Sequence, residues 1–122
     1  MIQLRTVLTV ADNSGAKKLL VIQLPGFSKK RVAGLADIVK ATVLEATPAG
    51  QVKKSDKVNV LVVRTKKETR RDDGSYIRFA DNAGVVINNN GLPLGSRIFG
   101  PVAREVKEAG YNKIASLAKE VV

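Results

Sequence analysis

Residues 58–66 read VNVLVVRTK and form the clearest strand pattern in the chain. Successive side chains of a strand point to opposite faces, so three valines share one face while Leu61 and Val63 occupy the other. A strand that is apolar on both faces is covered on both sides. The pattern therefore fits a closed β-barrel whose outer surface is covered at this strand.

Further apolar runs rich in Val, Ile and Leu lie on both sides of this strand, and each is bounded by a turn signal. We predict additional strands at residues 6–11, 17–24, 37–46, 75–79 and 83–88. The segments between them are rich in Gly, Pro, Asn and Asp, whose backbone preferences favour turns. The chain is thus predicted to be mainly β, as a small barrel or a sandwich, in a single domain over residues 1–122.

A polar segment at about residues 64–79 follows the central strand. It contains few apolar residues, so it cannot bury enough area to belong to the core. Within it, Asp73-Gly74 is a strong signal for a two-residue type I′ turn, in which both residues need positive φ. We expect an exposed β-hairpin ribbon that projects from the barrel, with Arg70 and Arg71 free to contact a polyanion.

The character of the sequence changes after Pro93, and the part from about residue 100 to residue 122 is predicted to contain two short helices. Pro101 before an apolar stripe and Gly110 behind it are typical of the start and end of a helix. Asn112 is predicted to cap the second helix. Helices this short are unstable alone, so we expect them to pack on the barrel.

The composition excludes most enzyme chemistry. None of the 122 residues is Cys or His, which removes disulfides, thiolate nucleophiles, imidazole bases and the usual zinc ligands. Asp72 and Asp73 are adjacent carboxylates at a turn, and Ser14 has no neighbouring base to activate it. We interpret both sites as turns and expect no catalytic residue, no metal and no cofactor.

The N-terminal residues contain no apolar stretch of signal-peptide length, and no span approaches the length of a membrane helix. A cytoplasmic location with no membrane partner is the resulting expectation.

The charge of the chain is both large and unevenly distributed. Lys and Arg number 21 against 11 Asp and Glu, so the net charge is +10, and nearly all of this excess lies in residues 1–67. A basic excess concentrated in loops and an arm indicates a polyanionic partner such as RNA, although any one cluster could simply be a solvated surface. The predicted RNA-binding residues are Lys17, Lys18, Lys29, Lys30, Arg31, Lys53, Lys54, Arg64, Lys66, Lys67, Arg70, Arg71 and Arg78.

Aromatic residues are too few for a platform on which bases stack. Such a platform needs several aromatics on one strand face, whereas Tyr76 and Phe79 fall on opposite faces. We instead expect Phe79 and Phe99 in the core and Tyr76 packed on the ribbon.

Six segments in order are similar to a known family along nearly the whole chain. They are residues 10–16 (VADNSGA), 62–67 (VVRTKK), 70–79 (RRDDGSYIRF), 82–87 (NAGVVI), 95–105 (GSRIFGPVARE) and 113–118 (KIASLA). On these segments the chain resembles the bacterial-type large-subunit ribosomal protein L-fourteen family. Four positions depart from the usual residues of that family, namely Val60, Glu68, Asp72 and Lys119.

The resemblance implies a five-stranded β-barrel with a projecting ribbon and two short C-terminal helices. It also implies a place in the ribosome, with four kinds of partner: large-subunit rRNA, neighbouring large-subunit ribosomal proteins, small-subunit rRNA across the interface, and a ribosome silencing factor. By position in the family, Ser96, Arg97 and Lys113 are the residues expected on the protein-partner face. The alternative is a free-standing small-barrel RNA-binding factor of OB or cold-shock type.

Overall fold

The computed structural model describes residues 2–24 and 32–122. Within these ranges it contains seven strands and two helices. They are β1 (Val7–Val10), β2 (Ala16–Gln23), β3 (Ile38–Ala46), β4 (Lys57–Arg64), β5 (Thr69–Arg70), β6 (Tyr76–Ile77), β7 (Ala83–Ile87), α1 (Arg104–Glu108) and α2 (Asn112–Leu117).

Five of the strands close into a barrel in the order β1-β2-β3-β4-β7. Consecutive strands from β1 to β4 are antiparallel, as is the β4–β7 pair, and the barrel closes where β1 runs parallel to β7. Closure leaves no open sheet edge among these five strands. The prediction of a mainly β fold is confirmed, and the barrel is the form it takes.

The two faces of β4 lie in two different hydrophobic clusters. Val60 and Val62 are fully buried inside the barrel. Leu61 and Val63 are equally buried on the outer surface, where the cluster includes Val106 of α1 and Ile114 of α2. The helices therefore form the cover that the pattern of residues 58–66 predicts.

The ribbon has two short strands, with Thr69 paired to Ile77 and Arg70 paired to Tyr76. Its turn differs from the predicted type I′ turn. Gly74 has a φ of +87°, whereas Asp73 is not among the described residues with positive φ. The Gly74 N–H donates to the Arg71 carbonyl and the Arg71 N–H donates to the Ser75 carbonyl, which makes a longer loop with one left-handed residue.

The α1 helix begins later than predicted, and the α2 helix has a different N-cap from the predicted one. The α1 helix starts at Arg104 because Val102 pairs in a bridge with Val121 and so remains extended. The N-cap of α2 is Tyr111, with no side-chain hydrogen bond, so the prediction of an Asn112 cap is wrong. Gly110, at φ +100°, follows the end of α1 as predicted.

The expectation for Phe99 is also wrong. Its side chain is 54% exposed, because the neighbouring Ile98 takes the buried position in the outer cluster. Phe79 is half-buried, and Tyr76 on the ribbon is 65% exposed. Of the helices in the described part of the chain, neither is long and apolar enough to cross a membrane.

Candidate nucleic-acid interface

Seven of the predicted RNA-binding side chains are exposed and form no ion pair within residues 2–24 and 32–122. They are Lys17, Lys53, Lys54, Lys66, Lys67, Arg70 and Arg78. Lys18 lies 4.0 Å from Glu45, but both side chains are more than half exposed, so the pair is weak. These eight residues keep their positive charge available at the surface.

Four of these cations lie at one end of the barrel, which we call the turn-end cluster: Lys17, Lys18, Lys53 and Lys54. Lys17 and Lys18 lie at the start of β2, and Lys53 and Lys54 lie in the β3–β4 loop. Backbone hydrogen bonds join this loop to the β1–β2 turn. The Gln51 N–H donates to the Ser14 carbonyl and the Thr47 N–H donates to the Gly15 carbonyl, each at 2.8 Å. Two clusters that are 36 residues apart in sequence thus become one surface.

The loop that presents Lys53 and Lys54 is fixed to β3. A carboxylate oxygen of Asp56 accepts a hydrogen bond from the Lys53 N–H at 2.9 Å. The Ser55 N–H donates to the Val43 carbonyl at 2.8 Å. The lysines therefore extend from an ordered backbone, which reduces the entropy lost when they bind a ligand.

The other four cations lie at the opposite end of β4 and on the ribbon: Lys66, Lys67, Arg70 and Arg78. We call them the ribbon-end cluster. The base of the ribbon is held by the buried Thr65, whose hydroxyl donates to the Lys67 carbonyl, and by Asn82, whose side chain accepts from the Lys66 N–H. In the chain, β4 lies between the β3–β4 loop that carries Lys53 and Lys54 and the base of the ribbon.

Arg64 is not exposed as the ribbon prediction requires. Its side chain is only 12% exposed, lies against Gly100, and has its Nε 3.5 Å from a carboxylate oxygen of Asp81. It contributes to the packing where the ribbon leaves the barrel.

Arg71 is likewise engaged within the fold, in contrast to the expected free arginine. An Nη atom donates to a carboxylate oxygen of Glu105 at 2.9 Å and to the main-chain oxygen of Val122. The Arg71 side chain is 17% exposed and that of Glu105 is 23% exposed. Arg71 therefore ties the ribbon to α1 and the C-terminal residues, whereas its neighbour Arg70 remains exposed.

The third predicted cluster, Lys29, Lys30 and Arg31, lies outside the described residues. Its part in RNA binding stays a prediction.

The residues expected on the protein-partner face are all exposed: Ser96, Arg97 and Lys113. Arg97 precedes Ile98 and Lys113 precedes Ile114, and these two isoleucines share the outer hydrophobic cluster. The loop and α2 thus lie on the same covered side of the barrel.

Asn13 positions this loop, a role that the sequence does not reveal. Its side-chain oxygen accepts from the Ser96 N–H at 2.8 Å and from the Arg97 N–H at 3.1 Å. Its amide nitrogen donates to the Ser96 hydroxyl at 3.2 Å. Asn13 is 83 residues from Ser96, so only the closed barrel brings the two together.

The neighbouring Asp12 holds the turn itself. One carboxylate oxygen accepts from the N–H and hydroxyl of Ser14, and the other accepts from the Val86 N–H at 3.0 Å. Burial raises the pKa of Asp12 above its ordinary value, and these hydrogen bonds oppose the shift only in part. The turn interpretation is confirmed, and it has a structural consequence because the carboxylate joins β1 to β7.

A family model for ribosomal protein L14p/L23e matches residues 1–122, the full length of the chain. The chain belongs to this family. It is therefore a protein of the large ribosomal subunit, with ribosomal RNA and ribosomal proteins as the partners that the family implies. The barrel, the ribbon and the two helices agree with the fold expected from the resemblance.

Proposed function

We propose that the chain is a non-catalytic structural constituent of the large subunit that binds rRNA through its two cation clusters. The observation that carries the proposal is the presence, before and after β4, of exposed cations that form no ion pair with any described residue. A phosphate backbone supplies the complementary charge, and phosphate contacts fix position and orientation while RNA shape supplies selectivity.

The separation of the two clusters supports a bridging role. Cations that precede and follow β4 on a rigid barrel contact two points of a folded RNA at once. Two linked contacts bind more tightly than either alone, because the second is intramolecular once the first has formed.

The same proposal assigns the helical side to other partners. Residues 68–122 are nearly neutral in net charge, and Ser96, Arg97 and Lys113 are exposed there. This side suits contacts with proteins, including a silencing factor, and with small-subunit rRNA across the interface between subunits.

The test is the salt dependence of binding between the isolated chain and large-subunit rRNA. Replacing Lys53 and Lys54 by Gln should lower the slope of log affinity against log salt by about 1.4, because two phosphate contacts are lost. A Lys66→Gln/Lys67→Gln variant should do the same. The matched control is Lys107→Gln/Lys119→Gln, which removes two exposed lysines outside both clusters and should leave the slope unchanged. Affinity of the parent chain that does not change with salt would contradict the proposal.

A further inference from the structure

A groove on the outer surface of the barrel contains cations that belong to neither cluster. It lies beside β3, β4 and β7 and has a volume of about 460 Å³. Two lysines, Lys40 and Lys57, line it together with Asn59, Asn89 and the apolar residues Ile87 and Leu94. No acidic residue is among the described residues that line it.

The strand register explains why these side chains meet. Lys40 of β3 is paired with Asn59 of β4, and Asn59 is paired in turn with Ile87 of β7. Residues that are directly paired across strands have their side chains on the same face. Lys57 is two residues before Asn59, so it shares that face. A cation on each of two strands thus flanks an amide and an apolar surface.

The amides of the groove are held in place. The Asn59 Nδ2 donates to the Asn89 side-chain oxygen at 3.3 Å. Asn88 fixes the turn that carries Asn89, since its side-chain oxygen accepts from the N–H groups of Asn90 and Leu92. After this pairing Asn59 still has its oxygen as an acceptor and Asn89 still has its amide donors.

We propose that this groove binds a single unpaired nucleotide of RNA. Lys40 and Lys57 take the phosphates on its two sides, the base lies against the partly exposed Leu94, and the amides of Asn59 and Asn89 bind the edge of the base. The inference rests on the proposed rRNA binding and specifies a site for it. Unpaired bases expose the donors and acceptors that such amides read.

The size and charge of the groove favour this occupant over a protein segment. Sites for small ligands have volumes of about 300–1,000 Å³, so the groove is large enough for one nucleotide. Two lysines without a carboxylate favour a ligand with negative charge on both sides of a planar group. A nucleotide within a chain carries a phosphate on each side.

The first experiment measures binding of the full chain to large-subunit rRNA as a function of salt. Lys40→Gln/Lys57→Gln should lower the log-log slope by about 1.4, whereas Asn59→Ala should weaken binding roughly ten-fold with no change in slope, because it removes no charge. The matched controls are Lys107→Gln/Lys119→Gln and Asn112→Ala, at exposed positions away from the groove. Groove variants that behave like their controls, while the parent binds rRNA in a salt-sensitive way, would overturn this inference and leave the proposed function intact.

The second experiment locates the RNA. The chain has no cysteine, so Asn90→Cys, beside the groove, provides a single attachment point for an iron chelate that cleaves nearby RNA. In reconstituted large subunits we expect cleavage of rRNA on both sides of one unpaired nucleotide. Lys54→Cys serves as the reference for the turn-end cluster.

The cleavage experiment distinguishes failure of the groove site from failure of the proposed rRNA binding. Cleavage from Lys54→Cys together with none from Asn90→Cys would refute the groove site but not rRNA binding. Cleavage from Asn90→Cys within a neighbouring protein or an uninterrupted helix would also refute it. The absence of rRNA cleavage from both positions would contradict the proposed function as well.

Discussion

The guanidinium of Arg71 contacts the carboxylate of Glu105 at 2.9 Å, which joins the ribbon to α1 across 34 residues of sequence. A two-stranded ribbon is marginally stable by itself in water. The contact gives this ribbon a fixed direction relative to the barrel. It also leaves a buried Nε of Arg71 and a buried Oε2 of Glu105 with no hydrogen-bond partner in the described part of the chain.

Arg71 and Arg70 should respond differently to the same substitution. Arg71→Glu should lower the free energy of unfolding by about 1–3 kcal/mol, because it places two carboxylates together in a mostly buried position. Arg70→Glu should stay within about 0.5 kcal/mol of the parent, because Arg70 is exposed. Urea unfolding measures both. The exchanged pair Arg71→Glu/Glu105→Arg should recover part of the loss, and equal effects of the two single variants would contradict the role of the ion pair.

Gly84 and Val60 should be energetically coupled. A Cβ on Gly84 would clash with a methyl carbon of Val60 and lie 3.3 Å from the Leu61 carbonyl oxygen inside the closed barrel. Gly84→Ala should therefore cost about 1–3 kcal/mol through overpacking. In a Val60→Ala background the cost should be smaller, since the clashing methyl is gone. A double-mutant cycle by chemical unfolding tests this, and strictly additive effects would contradict it.

Asn13→Ala should loosen the loop that carries Ser96 and Arg97. The variant removes the acceptor for two backbone N–H groups, so amide hydrogen exchange at Ser96 and Arg97 should accelerate. Asn112→Ala, at an exposed position in α2, is the control. Unchanged exchange at both amides in Asn13→Ala would show that the loop is ordered by other contacts.

Arg97→Glu or Lys113→Glu should disturb protein partners or subunit joining more than incorporation into the large subunit. Both residues are exposed on the near-neutral helical side, away from the two cation clusters. The measurements are the amount of each variant in purified large subunits and the rate at which those subunits join small subunits. Normal joining and normal factor binding in both variants would remove the support for this partner face.

The stability of the chain should carry a pH dependence from Asp12. Burial raises the pKa of Asp12 above the ordinary value of 3.8. Between pH 3.8 and this higher pKa, the folded protein holds a proton that the unfolded chain has released. The contribution of Asp12 to the free energy of unfolding therefore falls as the pH rises through this window. Asp12→Asn lacks this contribution, so the parent's free energy of unfolding minus that of the variant should shrink as the pH rises. Urea unfolding at a series of pH values provides the measurement, and a difference that widens instead would contradict the raised pKa.

Much of the barrel could be predicted because its signals are local. The alternation in residues 58–66 requires only neighbouring residues, and it correctly indicated two buried faces. The predicted strands at 17–24, 37–46 and 83–88 match β2, β3 and β7 to within a residue at each end. Gly110 marked the end of α1 for the same reason, since a left-handed residue after a helix is a local requirement.

The candidate site was only partly predictable. Composition and order along the chain identified the basic segments, and Lys17, Lys53 and Lys66 are exposed. Their part in RNA binding stays a prediction. Lys40 gave no comparable signal because it is a single cation within an apolar strand. Its position beside Asn59 follows from the register of β3 with β4, which depends on the pairing of whole strands.

The sequence by itself determined the strand pattern, the concentration of charge in residues 1–67 and the family, because each of these depends on residue type and order. Only the tertiary structure decided which cations remain available. Arg70 and Arg71 are adjacent and identical, yet one is exposed while the other binds Glu105. The physical reason is that exposure and ion pairing are set by residues distant in sequence, which the closed barrel and the packed helices bring within contact distance.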